Sequence, residues 1–229
     1  ARALSTGDFS IKQANSSKVG VAQVLNRLTY ASSLSHLRRI NTPLEKSGEL
    51  IAPRKLHPST WGFLCPAETP EGQSIGIVKN ISYMAHITIP TTTATIYEYI
   101  LPKIIVIDSV PAKKLYGKVK IIINGCWIGI TESPVELYND IHEKKCKGII
   151  NIYTSVVLDY KVLEIRICSD GGRVTRPVLR VKDNKVIITL DIINKLTKNE
   201  LTWNDLLTEC RLDKSVIEYI DPEEQNYCT

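Results

Sequence analysis

No two of the six cysteines, at positions 65, 126, 146, 168, 210 and 228, stand closer than eighteen residues, and no CxxC pair occurs. Structural zinc usually takes its ligands in close pairs, so this spacing argues against a metal centre. A disulfide framework is out of place in a long, lysine-rich chain without a secretion signal, which leaves reduced intracellular thiols. Cys126, Cys146 and Cys168 lie among apolar residues, where a free cysteine behaves as a small core hydrophobe. Long apolar runs are missing too, and nothing approaches the roughly 18 to 20 consecutive residues of a membrane span. The opening "ARALSTGDFS" has neither an initiator Met nor the charged-then-apolar layout of a signal peptide; it reads as cut from something longer, and the abrupt end at "DPEEQNYCT" points the same way. There is no internal repeat and no low-complexity tract.

Catalytic signatures are scarce as well. A phosphate-cradling loop needs a Lys that "EGQSIG" does not supply. His57 could activate Ser59 or Cys65, but neither spacing matches a nucleophile elbow or a thiol-protease signature, so a hydrolase ranks third among the readings. Glu68 and Glu71 could act as general acid and base. Loop carboxylates are more often solvated or hydrogen-bonded to backbone amides.

What is present is an ordinary globular composition, 43% hydrophobic and 23% charged, in a length that suits one large domain or two small ones. The net charge of +5 is unevenly placed: residues 1–88 carry ten Lys or Arg against five Asp or Glu, whereas residues 89–229 carry nineteen of each. A basic first part ahead of a neutral remainder suggests that an anion meets the first part.

The texture changes near residue 88. Val21, Val24, Leu25 and Leu28 recur at helical spacing behind Ser16 or Ser17 and predict a helix over 18–30. A second helix is predicted from Ser32 or Ser33 through Leu34 and Leu37, ending at "RRINTP", because Pro43 disfavours helical geometry at Thr42. "LEKSGEL" reads as an exposed loop with Gly48 at its tip. Beyond residue 90 the chain is rich in Ile and Val. Asn124-Gly125 between apolar runs predicts a hairpin, since both turn positions need positive φ. "SPVELYNDIHEKKCKG" predicts a helix with Ser133 as N-cap, Pro134 in the first turn, Glu136 three residues past the cap and Gly148 as terminator. Strands are predicted near 150–158, 162–168 and 173–181, then a Thr202-capped helix at "TWNDLLTE" and a strand at "SVIEYI". The fold class is α+β, a helical, loop-rich segment followed by mixed β-sheet.

Two stretches concentrate the chemistry. "HPSTWGFLCPAETPEGQSIG", residues 57–76, holds three prolines, three glycines and two glutamates, a composition that neither strand nor helix tolerates. "SHLRRINTP" and "APRKLHP" bring Arg38, Arg39, Arg54 and Lys55 to the two sides of one loop, a layout suited to gripping phosphates. The alternative is a solvated basic face, with Arg38 and Arg39 meeting the dipole at a helix end.

"VAQVLNRLTYASSLSHLRRINTP" followed by "PRKLHPSTWGFLCPAETPEGQSIGIVKNIS" resembles the second-largest subunit of multisubunit DNA-directed RNA polymerases, counterpart of the bacterial β subunit. "VKIIINGCWIGITESPVELYNDIHEKKCKGII", "LEIRICSDGGRVTRPVL", "LTWNDLL" and "VIEYIDPEE" extend the resemblance over nearly the whole chain. "PAETPEGQ", with Ala67 and Gln73, is similar to the eukaryotic and archaeal version, and the heavy use of Ile and Lys is in keeping with an AT-rich genome such as that of a large DNA virus.

The resemblance implies a division into a fork region over residues 1–88, a first external domain over 89–190 and the start of a second over 191–229. It places the first fork loop at Asp8 to Val19 and the second at Leu44 to Ile51. It implies that the "ETPEG" loop lies beside the catalytic centre, with Glu71 near the site without ligating metal and Gln73 facing the RNA–DNA hybrid. Arg39 and Arg54 are the implied positive charges near incoming nucleotide or nucleic-acid backbone, with Gln23, Arg38 and Gln73 secondary. The cofactor implied is Mg2+, held by the largest subunit, and no metal ligand is expected in this chain. The implied partners are the largest subunit and the other polymerase subunits, the DNA template, the RNA–DNA hybrid and nucleoside triphosphates, with no membrane. The implied location is the nucleus for a cellular enzyme, or a cytoplasmic viral factory or virion for a viral one. The competing class is a stand-alone nucleic-acid-binding module without catalysis.

Overall fold

The computed structural model describes residues 2–6, 9, 21–44, 50–109, 111, 113 and 115–228. The chain divides into two compact units, one formed by residues 1–56 and 65–81, the other by residues 57–64 and 82–229.

The first unit is loop-rich. It holds helices α1 (Arg2–Thr6) and α2 (Tyr30–Leu37) and an antiparallel ladder of β1 (Arg39–Asn41) with β2 (Val78–Asn80), in which Arg39 faces Asn80 and Asn41 faces Val78. Thr29 caps α2: its Oγ1 accepts from the Ser32 N–H at 3.0 Å while Ser32 Oγ accepts from the Thr29 N–H at 2.9 Å. This reciprocal box satisfies two donors that a helix start leaves unpaired. The second predicted helix is therefore present, with Thr29 as its cap in place of Ser32 or Ser33.

The first predicted helix is not. Residues 18–20 lie outside the described residues, and residues 21–28 run without helical structure. Local polar groups compete for the backbone there. Asn26 Oδ1 accepts from the Leu28 N–H at 2.9 Å, and the Asn26 N–H donates to His36 Nδ1 at 3.0 Å. Backbone donors are spent on side chains instead of on carbonyls one turn back. Val24 and Leu28, on the expected apolar stripe, are in consequence 94% and 85% exposed. Of the two stretches expected as fork loops, residues 8–19 apart from Phe9 and residues 45–49 also lie outside the described residues.

The second unit begins with the turn 57–64, whose Phe63 is buried with the Arg176 guanidinium 5.4 Å from its ring centroid. There follow β3 (His86–Ile87), α3 (Ala94–Ile100), β4 (Ile105–Val106), β5 (Val119–Ile123), β6 (Cys126–Thr131), α4 (Pro134–Cys146), β7 (Ser155–Asp159), β8 (Glu164–Cys168), β9 (Val174–Leu179), β10 (Val181–Lys182), β11 (Lys185–Val186), α5 (Leu190–Thr197), β12 (Ile217–Ile220) and α6 (Pro222–Gln225). The class is α+β, as expected.

A five-stranded sheet in the order β4-β6-β5-β8-β7 carries the main core, and β5 and β8 run parallel within it. Ile121, Ile123, Ile165 and Ile167, alternating along β5 and β8, pack with Ile96 and Ile100 of α3 and Leu137 and Ile141 of α4. Each fully buried aliphatic side chain contributes about 1.5–3 kcal/mol. The predicted hairpin joins β5 to β6, with Asn124 at φ 46° and Gly125 at φ 82°. The predicted helix is α4, with Ser133 at the N-cap position, though its hydroxyl caps nothing. The Thr202-capped helix is a single 3-10 turn, Trp203–Leu206, in which Asp205 Oδ2 accepts from the Thr202 N–H at 2.8 Å. A three-stranded sheet, β12-β9-β3, lies beside a second apolar cluster of Leu206, Leu207, Val216, Ile217 and Tyr219. Of the three cysteines expected inside, Cys146 is buried and Cys168 half-buried; Cys126 is exposed because it opens β6 directly after the turn.

Buried charge joins α4 to β12 and α6. Lys145 Nζ, on a side chain only 1% exposed, donates to Tyr219 O at 3.0 Å and to Glu224 Oε1 at 2.8 Å, and lies 3.1 Å from Glu218 Oε1. Burial opposes the ammonium charge, but the Glu224 and Glu218 carboxylates outweigh it and raise the pKa. Hydrogen bonding to Cys146 and Glu218 pushes the His142 imidazole up to about 9. Burial works to raise Glu218, yet His142 and Lys145 together pull it down to about 2.

Candidate nucleic-acid interface

Gln23, Arg38, Arg39, Arg54, Glu71 and Gln73 all belong to the first unit. The loop that carries Glu71 and Gln73 has no regular structure beyond one 3-10 turn, Gly72–Ser74, so side chains must hold it. Thr69, within the loop, and Asn80, on β2, do so. Thr69 Oγ1 donates to Val78 O at 3.1 Å and accepts from the Gly76 N–H at 2.9 Å. Asn80, 3% exposed, donates from Nδ2 to Glu68 O at 3.1 Å, and its own carbonyl accepts from the Cys65 N–H at 2.8 Å. A second link runs to α2, where the Ser35 hydroxyl donates to Glu68 Oε1.

Arg54 closes the loop from the other side. Its Nη1 donates to Gln73 O at 2.6 Å and to Ile75 O at 2.9 Å. Two carbonyls on one guanidinium nitrogen fix the 3-10 turn, and close approach follows: a Cβ on Gly76, at φ +69°, would stand 2.4 Å from Arg54 O. At that position only glycine fits both the backbone conformation and the space. Arg54 is therefore a clamp on the loop. Glu71, just before the turn, and Gln73 within it have exposed side chains.

The remaining candidates sit on α2 and β1. His36 Nδ1 accepts from the Asn26 N–H, so the ring proton is on Nε2, which faces Gln23 Oε1 at 3.0 Å. Gln23 is thus tied to α2 through its amide oxygen. Arg38 ends α2, its N–H donating to Ser35 O at 3.1 Å and its carbonyl accepting from the Ile81 N–H at 3.0 Å. Arg39 opens β1 with an exposed side chain that makes no ion pair with any described residue. Sequence reasoning missed Ser35, Thr69 and Asn80, whose hydrogen bonds join residues 7 to 33 positions apart in the chain.

The hydrolase geometries do not assemble. His57 Nδ1 lies 2.7 Å from Ser59 Oγ but also accepts from the Ser59 N–H at 3.2 Å, a local cap on an exposed turn. Mg2+ requires several hard oxygen ligands. Among the described residues the only convergent set of three possible ligands is His142, Cys146 and Glu218, in the second unit, and its nitrogen and sulfur donors do not fit that ion.

Residues 23–87 match the family model "RNA polymerase Rpb2, domain 3" and residues 121–182 match "RNA polymerase Rpb2, domain 4". The chain is 42% identical to DNA-directed RNA polymerase II subunit RPB2 of Encephalitozoon cuniculi (strain GB-M1), over 97% of its own length and 19% of the relative's. It is 38% identical to DNA-directed RNA polymerase II subunit 2 of Arabidopsis thaliana, over 97% of the chain and 19% of the relative. It is 35% identical to DNA-directed RNA polymerase subunit 2 of Acanthamoeba polyphaga mimivirus, over 98% and 18%. The chain thus spans about a fifth of the length of the curated relatives it matches. Among the described residues no helix is long and apolar enough to cross a membrane.

Proposed function

The chain belongs to the family of second-largest subunits of DNA-directed RNA polymerases, and on that premise we propose that its first unit lines the active centre of such an enzyme. The observation that carries the reading is the braced loop 65–76. Arg54, Thr69 and Asn80 hold its backbone at several points while Glu71 and Gln73 stay exposed. A loop held in this way loses little order when nucleic acid arrives, so its exposed groups meet the ligand at low entropic cost.

In this reading residues 1–88 form the fork region, 89–190 a first external domain and 191–229 the start of a second. Arg39, exposed at the start of β1, faces nucleotide or nucleic-acid phosphates, with Arg38 and Gln23 in support. Arg54 positions the loop and adds its charge to the same field. Gln73 faces the RNA–DNA hybrid, and Glu71 lies near the reaction without binding metal. The charge division supports this assignment, because the basic excess falls wholly within residues 1–88. The metal belongs to the largest subunit, and the 229 residues alone synthesise no RNA. The enzyme works wherever its template is, in the nucleus of a cell or in a viral factory.

The test is a photo-crosslinker placed at Gln73 in the full-length subunit, assembled with its partners on a template with a labelled transcript. Crosslinks to the RNA or the template strand within the hybrid are expected. Crosslinks only to protein, from an enzyme that elongates normally, would overturn the placement.

A further inference from the structure

We propose that His142, Cys146 and Glu218 form a binding site for one thiophilic divalent cation of the zinc type, where α4 meets β12. One donor atom from each side chain lies within 4.8 Å of the other two. His142 and Cys146 stand four residues apart on α4 and so share a face. Glu218 comes from β12, 76 residues away in sequence from His142. His142 Nε2 is 3.0 Å from Glu218 Oε1, and its Nδ1 is 3.8 Å from Cys146 Sγ. These contacts are to opposite ring nitrogens and one ion takes only one of them, so binding turns the His142 ring until a single nitrogen shares the ion with Cys146 Sγ and Glu218 Oε1, whose atoms lie within 4.8 Å.

The donors decide the class of ion. One thiolate, one imidazole and one carboxylate suit zinc, whereas Mg2+ and Ca2+ demand oxygen throughout. A fourth position is at hand. A cavity of about 10 Å³, room for the centre of one water-sized sphere, is bordered by Lys145, Cys146 and Glu218. It has room for about one water beside two of the three donors, although His142 does not line it.

The charge balances. Without metal, the Lys145 ammonium and the His142 ring face the Glu218 and Glu224 carboxylates, with the Cys146 sulfur beside them. Binding expels the His142 ring proton and the Cys146 thiol proton to solvent; a metal–nitrogen, a metal–sulfur and a metal–oxygen bond form, and no electron is transferred. The two charges of the cation offset the two protons released, so the net charge of the cluster is the same with and without the ion. Lys145 does not block the site. If Glu218 Oε1 turns to the metal, the ammonium keeps Glu224 Oε1 at 2.8 Å and Tyr219 O at 3.0 Å. Arg180 Nε, 3.9 Å from Glu218 Oε2, stays with the other carboxylate oxygen. Cysteine spacing did not point here because the pairing is a histidine and a cysteine one helical turn apart.

Co2+ titrated into the reduced, metal-free 229-residue chain tests the site. Saturation at one equivalent is expected, with a thiolate-to-cobalt charge-transfer band and the d–d bands of a tetrahedral ion, both abolished by Zn2+. The bands should vanish in Cys146→Ser and persist in Cys126→Ser and Cys228→Ser, and Zn2+ should raise the melting temperature of the wild type but not of Cys146→Ser. No band for the wild type at millimolar Co2+, or a band that survives Cys146→Ser, overturns the proposal. Should Cys146→Ser fail to fold, X-ray absorption of the Zn2+-loaded wild type decides. One sulfur with nitrogen and oxygen neighbours supports the site, and no sulfur or more than one refutes it.

Discussion

Replacing Lys145 with Met keeps the apolar stem and removes the charge at the centre of the α4 junction. The consequence follows from what the ammonium leaves behind. Glu224, 7% exposed, loses its cation at 2.8 Å, Glu218 loses one at 3.1 Å, and the Tyr219 carbonyl loses a donor at 3.0 Å. Breaking a buried ion pair by removing one partner costs about 3–5 kcal/mol, because the other charge stays buried without compensation. His142 and Arg180 still face Glu218, so the uncompensated group is Glu224. Urea unfolding followed by tryptophan fluorescence is the assay, since Trp61, Trp127 and Trp203 all lie in the second unit and report on it alone. With an m-value of about 2 kcal/mol/M, the midpoint should fall by roughly 1.5–2.5 M. Adding Glu224→Gln to Lys145→Met should recover part of the loss. A drop below about 1 kcal/mol, or a double variant worse than the single one, would refute the view of this cluster as a coupled ionic junction.

Gly76→Ala should unfasten the loop 65–76, since the new Cβ meets Arg54 O and φ is +69°. A cost of about 1–3 kcal/mol is expected, read as faster hydrogen exchange at the amide of position 76, and unchanged exchange would contradict the clamp. Burial pushes the Cys168 thiol up to about 11 from an ordinary value of 9.0. The neutral thiol is favoured in the fold, so the stability it contributes is complete below pH 9 and is lost as pH rises through 11. At pH 9 iodoacetamide should alkylate exposed Cys210 well before Cys168, and equal rates would count against that burial.

Features written in neighbouring residues were legible from the sequence. Asn124-Gly125 dictates its turn through two positive φ angles, and Pro134 with Gly148 bounds α4 at both ends. Helix α2 was legible for the same reason, although its cap lies at Thr29. The helix read over 18–30 failed where apolar spacing was opposed by Asn26, whose side chain takes the Leu28 N–H. Helix α5 passed unread behind a run of β-branched residues, though Ile192 and Leu196 stand one turn apart. The parallel pairing of β5 with β8 leaves no local trace, because Ile121 meets Ile165 across an intervening hairpin and helix. At the candidate interface, residue types singled out Arg39, Arg54 and Glu71, and Gln73 came only with the resemblance. That Arg54 holds carbonyls 19 and 21 residues away is a tertiary fact no spacing announces.

The central claim, that the first unit works beside reacting phosphates, is tested most directly by single-nucleotide addition in the assembled enzyme carrying Arg39→Ala or Glu71→Ala, with correct and mismatched substrates. Loss of a charge-assisted phosphate contact at Arg39 should cost about 1–3 kcal/mol in incorporation rate or in the nucleotide concentration required. Removing the Glu71 carboxylate from an anionic neighbourhood should have a smaller effect, with faster addition and weaker discrimination against the mismatch as the expected direction. A kinetically silent Arg39→Ala beside a Glu71→Ala enzyme that assembles but incorporates nothing would contradict the account and make Glu71 a direct participant in the reaction.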